Sequence, residues 1–283
     1  MKAMRMHAYG DASVLRLDDV PVPRPGDGQV LVRVAGTSFN PSEIGLRNGW
    51  LRGVFDLALP HTPGWDLAGT LVSTGERVLG RVDGGAAAQF ALADPALLVP
   101  APASVPLAHA AALPVAGVTA WQAVVRHARV AAGQTVFVNG AGGGIGGFAV
   151  QLAKRAGAHV TATASPRSAA AVRALGADVV HDYARGLPPG RFDVVLHLVP
   201  GGAGVPGLVA PGGVLVSVTD RFEAPAVHFV VRNDPGDLAA LVRLVDARAV
   251  HLDIAAVRTL AELPDVHRDA EAGRLRGKTI LTP

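Results

Sequence analysis

Residues 135–154 read TVFVNGAGGGIGGFAVQLAK, and this stretch decides the fold. An apolar run meets a glycine turn, and a helix-favouring segment follows that ends at Gly157. A turn of this kind lets the backbone approach a pyrophosphate, while the helix N-terminus offers free N–H groups and a partial positive charge. Several registers fit: Gly142-x-Gly144-x-x-Gly147 matches G-x-G-x-x-G, and Gly140, Gly143 and Gly146 recur every third residue. Taken alone, such glycines also suit nothing more than tight strand–helix packing. Here a strand precedes, a helix follows and HVTATAS (159–165) completes a βαβ unit, so the reading is a dinucleotide site.

Working outward, SAAAVRALGA (168–177) reads as a second helix and DVVHDY (178–183) as a third strand. FDVVLHLV (192–199) and GVLVSVT (213–219) read as further strands, and strands alternating with helices at this spacing predict a parallel, doubly wound sheet. The Gly-rich segment between 200 and 212 is too short for a full crossover helix. DPGDLAALVRLVDARAV (234–250) reads as an amphipathic helix capped by Asp234, followed by a helix near 260–272 and a strand, KTILTP. Upstream, 107–130 is Ala-rich and helix-favouring but interrupted at Pro114 and Gly117. Before it, QVLVRVAGTSF (29–39) and LAGTLVSTGERVLGRV (67–82) alternate like half-buried strands, and recurrent prolines at 21, 23, 25, 60, 63, 95, 100, 102 and 106 argue against long helices. The first hundred residues are therefore a small β-rich domain.

Composition narrows the chemistry. There is no cysteine, which excludes disulfides, Cys-ligated zinc, iron–sulfur clusters and thiol catalysis. The net charge of +3 invites a nucleic-acid reading, but the arginines are scattered, the lysines are only Lys2, Lys154 and Lys278, and aromatics are few. Nucleic-acid binding is not expected. No uninterrupted apolar stretch reaches a membrane span's length and the N-terminus lacks an export signal, so the expectation is a cytoplasmic protein without a membrane partner.

The end of the second strand addresses cofactor choice. An acidic residue there accepts hydrogen bonds from the adenosine ribose and favours NAD. This chain has Thr163, Ala164, Ser165, Pro166 and Arg167, with no carboxylate. The small residues leave room for a 2′-phosphate, Ser165 can donate to it and Arg167 can pair with it. Arg167 also suits a solvated helix start, but the absent acid and the available base together point to NADPH.

The sequence as a whole resembles the zinc-independent quinone oxidoreductase branch of the medium-chain dehydrogenase/reductase superfamily. The resemblance covers nearly the entire chain and is carried by FNPSE (39–43), PHTPGWDLAG (60–69), LVPAPASVPLAHAAALPVAGVTAW (98–121), VNGAGGGIGGFAVQLAKRAGAHVTATAS (138–165), VRALGADVVHDY (172–183), LVAPGGVLVSV (208–218) and GRLRGKTIL (273–281). It implies a GroES-like catalytic domain over 1–115, completed by 250–283, and a Rossmann NADP-binding domain over 116–249. It further implies a cofactor turn of Gly140, Gly143, Gly144, Ile145 and Gly146, with Ser165, Arg167 and Tyr183 at or near the 2′-phosphate. Thr119 falls near the nicotinamide half, and Leu198, Val199 and Val218 border the ring. Arg232 matches a basic residue near the cofactor, or else a solvated arginine at a helix entry. Asn40 matches the family's active-site asparagine, as a donor to substrate or as the residue holding the turn before Pro41. A homodimer joined through the Rossmann domain is implied as well.

The departures from the family are informative. The histidine that ligates catalytic zinc in zinc-dependent relatives is Trp65 here, so no metal site is expected and His61 is a structural or substrate-contacting residue. The family's substrate-bonding tyrosine falls on Gly45, and the connection before GERV (75–78) is short. Trp50, Trp65 and Phe55 are candidates for an aromatic acceptor pocket, or for core packing. The implied activity is NADPH-dependent hydride transfer to a quinone or α,β-unsaturated carbonyl, since such acceptors spread their own negative charge. The alternatives are a tailoring enoyl reductase or cyclisation catalyst on a polyketide-like substrate, and a low-turnover NADPH-binding sensor or scaffold.

Overall fold

The computed structural model describes residues 1–54, 57–223 and 225–283. The chain forms two compact units: Met1–Val115, Asn233–Asp246 and Ile254–Pro283 in one, Ala116–Arg232 and Ala247–Asp253 in the other. The helix Pro235–Asp246, read from sequence with the dinucleotide domain, thus belongs to the first unit. Hydrogen bonds at both its ends explain this. Asp246 Oδ1 accepts the Ser104 N–H at 2.9 Å, and Asn233 Nδ2 donates to the Arg81 carbonyl at 3.1 Å. The expected cap is present, Asp234 Oδ1 accepting the Asp237 N–H at 3.0 Å.

In the second unit, six strands form one parallel sheet in the order Val179–Asp182, His159–Ala164, Thr135–Asn139, Phe192–His197, Val209–Ser217, Ala226–His228. Thr135–Asn139 is apolar because both faces are covered, and Val136, Phe137 and Val138 are fully buried. Phe137 stacks on Phe192 at 5.2 Å within a cluster completed by Val195, Val205, Leu208 and Leu215. The chain leaves Thr135–Asn139 to one side and later returns to its other side, so its carboxyl end is the topological switch point at which open parallel sheets bind ligands. Between the fourth and fifth strands stands only a short 3-10 turn, Val205–Leu208, as the Gly-rich segment predicts.

The helical stretch Leu107–His127 corrects the expectation of a break at Pro114 and Gly117. It starts as 3-10 turns (Leu107–Ala112) and continues through π turns at Leu113–Gly117 and Gln122–His127 on either side of the α-helical Val118–Trp121. The wider π turn absorbs a proline that has no N–H to give. Among the described residues this is the one helix long and apolar enough to cross a membrane, yet 72% of its apolar window is buried in the protein, as in a core helix.

The first unit is a mainly antiparallel sheet ordered Ile254–Thr259, Lys278–Thr282, Val30–Ser38, Asp66–Leu71, Arg77–Arg81, Leu98–Pro100, with Phe90–Ala93 also on Val30–Ser38. A hairpin of Lys2–Met6 and Leu15–Asp19 packs beside it. One core joins Met4, Met6, Leu15 and Phe39 to Leu260, Leu263, Val266 and Leu281, so the C-terminal segment completes the N-terminal fold. A strand pair, Ile280↔Ser38 and Leu281↔Thr37, does the same in backbone terms.

Candidate functional site

Gly140 leaves the strand Thr135–Asn139 with φ +96°, and a Cβ there would lie 2.4 Å from Val199 Cγ1. Gly143 is the extended N-cap of the helix Gly144–Arg155, and no side chain caps it. At Gly146 a Cβ would lie 2.3 Å from the Gly140 carbonyl oxygen and 2.5 Å from Ala141 Cα, and at Gly142 one would lie 2.4 Å from Ser168 Oγ. Backbone therefore lies on backbone, and three successive residues, Gly144, Ile145 and Gly146, present the first turn of an uncapped twelve-residue helix. This arrangement fits a pyrophosphate, which takes up the N–H groups that side chains leave unused.

The strand ends around this turn carry the other expected residues. Ser165 is the N-cap of the helix Pro166–Ala174, with its hydroxyl 3.0 Å from Ser168 Oγ, and Arg167 is exposed in the first turn of that helix. Tyr183 opens the 3-10 turn after Val179–Asp182 and is 59% exposed, within reach of a ligand in solvent. Asp182, paired with Ala164 across the two strands, accepts the Ala184 N–H at 3.0 Å. Leu198, Val199 and Val218 follow the next two strands, and the Leu198 N–H donates to the Asn139 carbonyl at 3.1 Å. Thr119 is buried in the α-helical turn that packs against Gly144–Arg155.

Arg232 is exposed, but its backbone is fixed. The buried Gln122 amide accepts the Arg232 N–H and donates to its carbonyl, both at 3.0 Å. Gln122 is a positioning residue that sequence reading missed, because its partner lies 110 residues away. Arg232 also bears on His127, whose ring is held below the usual histidine range by burial and by that guanidinium.

In the first unit, Asn40 is 4% exposed within a closed polar cluster. Its Nδ2 donates to Asp66 Oδ2 at 2.8 Å and to the Ser38 carbonyl at 3.3 Å, while its Oδ1 accepts from Lys278 Nζ at 3.0 Å. Lys278 Nζ donates as well to the Phe39 carbonyl at 3.0 Å and lies 3.6 Å from Asp66. Asp66 further accepts the Val115 N–H at 2.7 Å. Burial pushes the neighbouring Glu43 carboxyl up to about 8, with the Asp66 charge adding to the effect, while burial holds the Lys278 ammonium below its ordinary range. In this geometry both Asn40 amide hydrogens face acceptors inside the cluster.

The remaining expectations fall as follows. Trp65 is buried, Trp50 is 80% exposed, and Phe55 lies outside the described residues. His61 is partly buried and shares a β-bridge with Met6. Gly45 sits inside the helix Ser42–Asn48, where an added Cβ would meet Leu51 at 3.5 Å, ordinary contact distance.

Profiles of known families match both parts of the chain: the alcohol dehydrogenase GroES-like domain over residues 26–103 and the zinc-binding dehydrogenase family over 175–281. The chloroplast envelope quinone oxidoreductase homolog of Arabidopsis thaliana is 38% identical over 226 residues, covering 71% of this chain and 69% of that protein. The NADPH-dependent alkenal/one oxidoreductase of the same plant is 29% identical, covering 100% of this chain and 80% of its own. The solved structure of the quinone oxidoreductase from Coxiella burnetii superimposes with a TM-score of 0.89 at 28% identity, over 100% of this chain and 99% of that one. Fold, glycine turn and relatives agree, and the chain belongs to the quinone oxidoreductase branch of the medium-chain dehydrogenase/reductase superfamily.

Proposed function

We propose that this protein is an NADPH-dependent reductase of quinones or α,β-unsaturated carbonyls that works without a catalytic metal. The observation that carries the cofactor choice is the strand end at Ala164–Arg167, where small residues and a guanidinium stand in place of a carboxylate. Gly140, Gly143, Gly144, Ile145 and Gly146 would hold the pyrophosphate, with Ser165, Arg167 and Tyr183 toward the 2′-phosphate. Thr119, Leu198, Val199 and Val218 would serve the nicotinamide half, with Arg232 near the cofactor cleft. When bound, the cofactor supplies hydride. The acceptor class follows from what the chain lacks: with no cysteine and Trp65 at the zinc-histidine position, it has no Lewis acid to stabilise an alkoxide. A quinone or enone needs none, because the charge it gains settles on a phenolate or enolate, leaving the protein to orient it and exclude water. The names of the relatives support the same acceptors.

The test is loss of reduced-nicotinamide absorbance with a panel of quinones and enones, using NADPH and NADH in parallel. Turnover with simple quinones or enones and a preference for NADPH is expected. Tight NADPH binding with no consumption by any acceptor would replace this reading with a sensor or scaffold, and turnover of large polycyclic enones alone with a tailoring enzyme. A cytoplasmic homodimer is the accompanying expectation, carried by family resemblance and read by light scattering of the purified chain.

A further inference from the structure

Beneath the glycine turn runs a chain of hydrogen bonds across three neighbouring strands to the segment after a fourth. The Gly140 N–H donates to Thr163 Oγ1 at 2.8 Å, and Thr163 Oγ1 donates to Asn139 Oδ1 at 2.8 Å. Asn139 Nδ2 lies 3.0 Å from His197 Nδ1, and His197 Nε2 lies 2.8 Å from Asp220 Oδ2. His197 is fully buried, whereas the Asp220 side chain is 36% exposed, so the chain links the interior under the first turn glycine to solvent.

Its direction follows from one end. A carboxylate only accepts, so Asp220 requires a proton on His197 Nε2. Asn139 turns its Nδ2 toward His197 Nδ1, so that nitrogen accepts and carries no proton. That fixes the Asn139 amide with Oδ1 toward Thr163, which donates to it and keeps a lone pair for the Gly140 N–H. With the opposite tautomer, a bare Nε2 would face the carboxylate. The Asp220 end is itself braced: the Asp220 N–H donates to Ser217 Oγ at 3.1 Å, and Thr219 Oγ1 donates to the Val199 carbonyl at 2.8 Å. Val199 is the residue whose side chain fills the space where Gly140 would carry a Cβ. Phe222 meets the His197 ring edge-on at 5.3 Å, and Gly202 closes on it so tightly that a Cβ would lie 2.7 Å from His197 Cε1.

We propose that His197 and Asp220 are positioning residues for the dinucleotide: Asp220 selects the Nε2–H tautomer of His197, and through Asn139 and Thr163 that choice holds Gly140 and the turn it opens. The inference rests on reading that turn as the cofactor cradle. Two measurements on the full chain test it. Nitrogen-15 NMR of the histidine rings should show the His197 proton on Nε2 and none on Nδ1; a proton on Nδ1 would overturn the proposal without any variant. In parallel, NADPH is titrated into the wild type, Asp220→Ala and Asp220→Asn. Loss of a charged partner to a buried group should weaken NADPH by about tenfold in Asp220→Ala. Asp220→Asn, whose amide oxygen still accepts, should stay within about threefold of wild type. Unchanged NADPH affinity in a folded Asp220→Ala would overturn the proposal and leave His197 a packing residue. Failure of the wild type to bind NADPH would strike the cofactor reading itself, a different result from normal wild-type binding with an indifferent Asp220→Ala.

Discussion

In the turn at 140–147 the polar groups are backbone N–H groups at a helix start that no side chain caps, whereas around Asn40 they are side chains that cap one another. At Gly146 of this turn a methyl group would displace the main chain, and at Gly140 and Gly142 it would strike the Val199 and Ser168 side chains. The cluster gathers Ser38, Asn40, Glu43, Asp66 and Lys278, each less than 5% exposed, and hydrogen bonds close it on itself. Unused donors at a surface mark a place for a ligand, while donors and acceptors matched internally mark a strut. On the proposed reading, that difference, rather than residue type, separates cofactor site from scaffold.

Lys278→Met breaks the strut most sharply. It leaves the wholly buried Asp66 without its counter-charge, and removal of one partner from such a pair destabilises by about 3–5 kcal/mol. Chemical denaturation should show that loss, with NADPH affinity of the folded protein retained. Gly146→Ala attacks the other region. Its Cβ must push the Gly140 carbonyl aside, so NADPH should bind about a hundredfold more weakly, about 2.7 kcal/mol, in a titration against wild type. A Gly146→Ala variant that binds normally, or a Lys278→Met variant that stays stable but loses the cofactor, would reverse the two roles.

The cluster also gives a pH dependence. Folding raises the Glu43 carboxyl from 4.5 to about 8, so between those values the native chain holds a proton that the unfolded chain has released. Stability from this group therefore falls as pH rises through that window and levels off above it. Glu43→Gln mimics the protonated form and should remove that fall, on the order of a few kcal/mol, in melting curves between about pH 5 and 8. The smallest effect belongs to Gly45→Ala. A helical glycine with room for a methyl should gain about 0.5–1 kcal/mol on substitution, leaving cofactor binding unaffected.

The glycine turn was legible because strand, turn and helix lie within twenty contiguous residues and each type has a local reason to be there. The strut was not. Asn40 could be picked out as a polar residue beside Pro41, but its amide donates to Asp66 and the Ser38 carbonyl, and its Oδ1 meets Lys278 from 238 residues away. The same holds for Gln122 and His197, whose partners lie on other strands or loops. Pro114 misled because a proline breaks an α-helix yet fits a π turn. Ile254–Thr259 escaped notice because its side chains alternate only weakly, from half-buried to exposed.

The central claim is that the strand end at Ser165 and Arg167 reads a 2′-phosphate. It is tested most directly by titrating NADPH and NADH into the wild type and Arg167→Ala. The account predicts that the wild type binds NADPH at least about tenfold more tightly than NADH, the worth of one charge-assisted phosphate pair. Arg167→Ala should lose most of that preference while binding NADH as before. Equal wild-type affinities, or an equal loss for both cofactors in the variant, would contradict it.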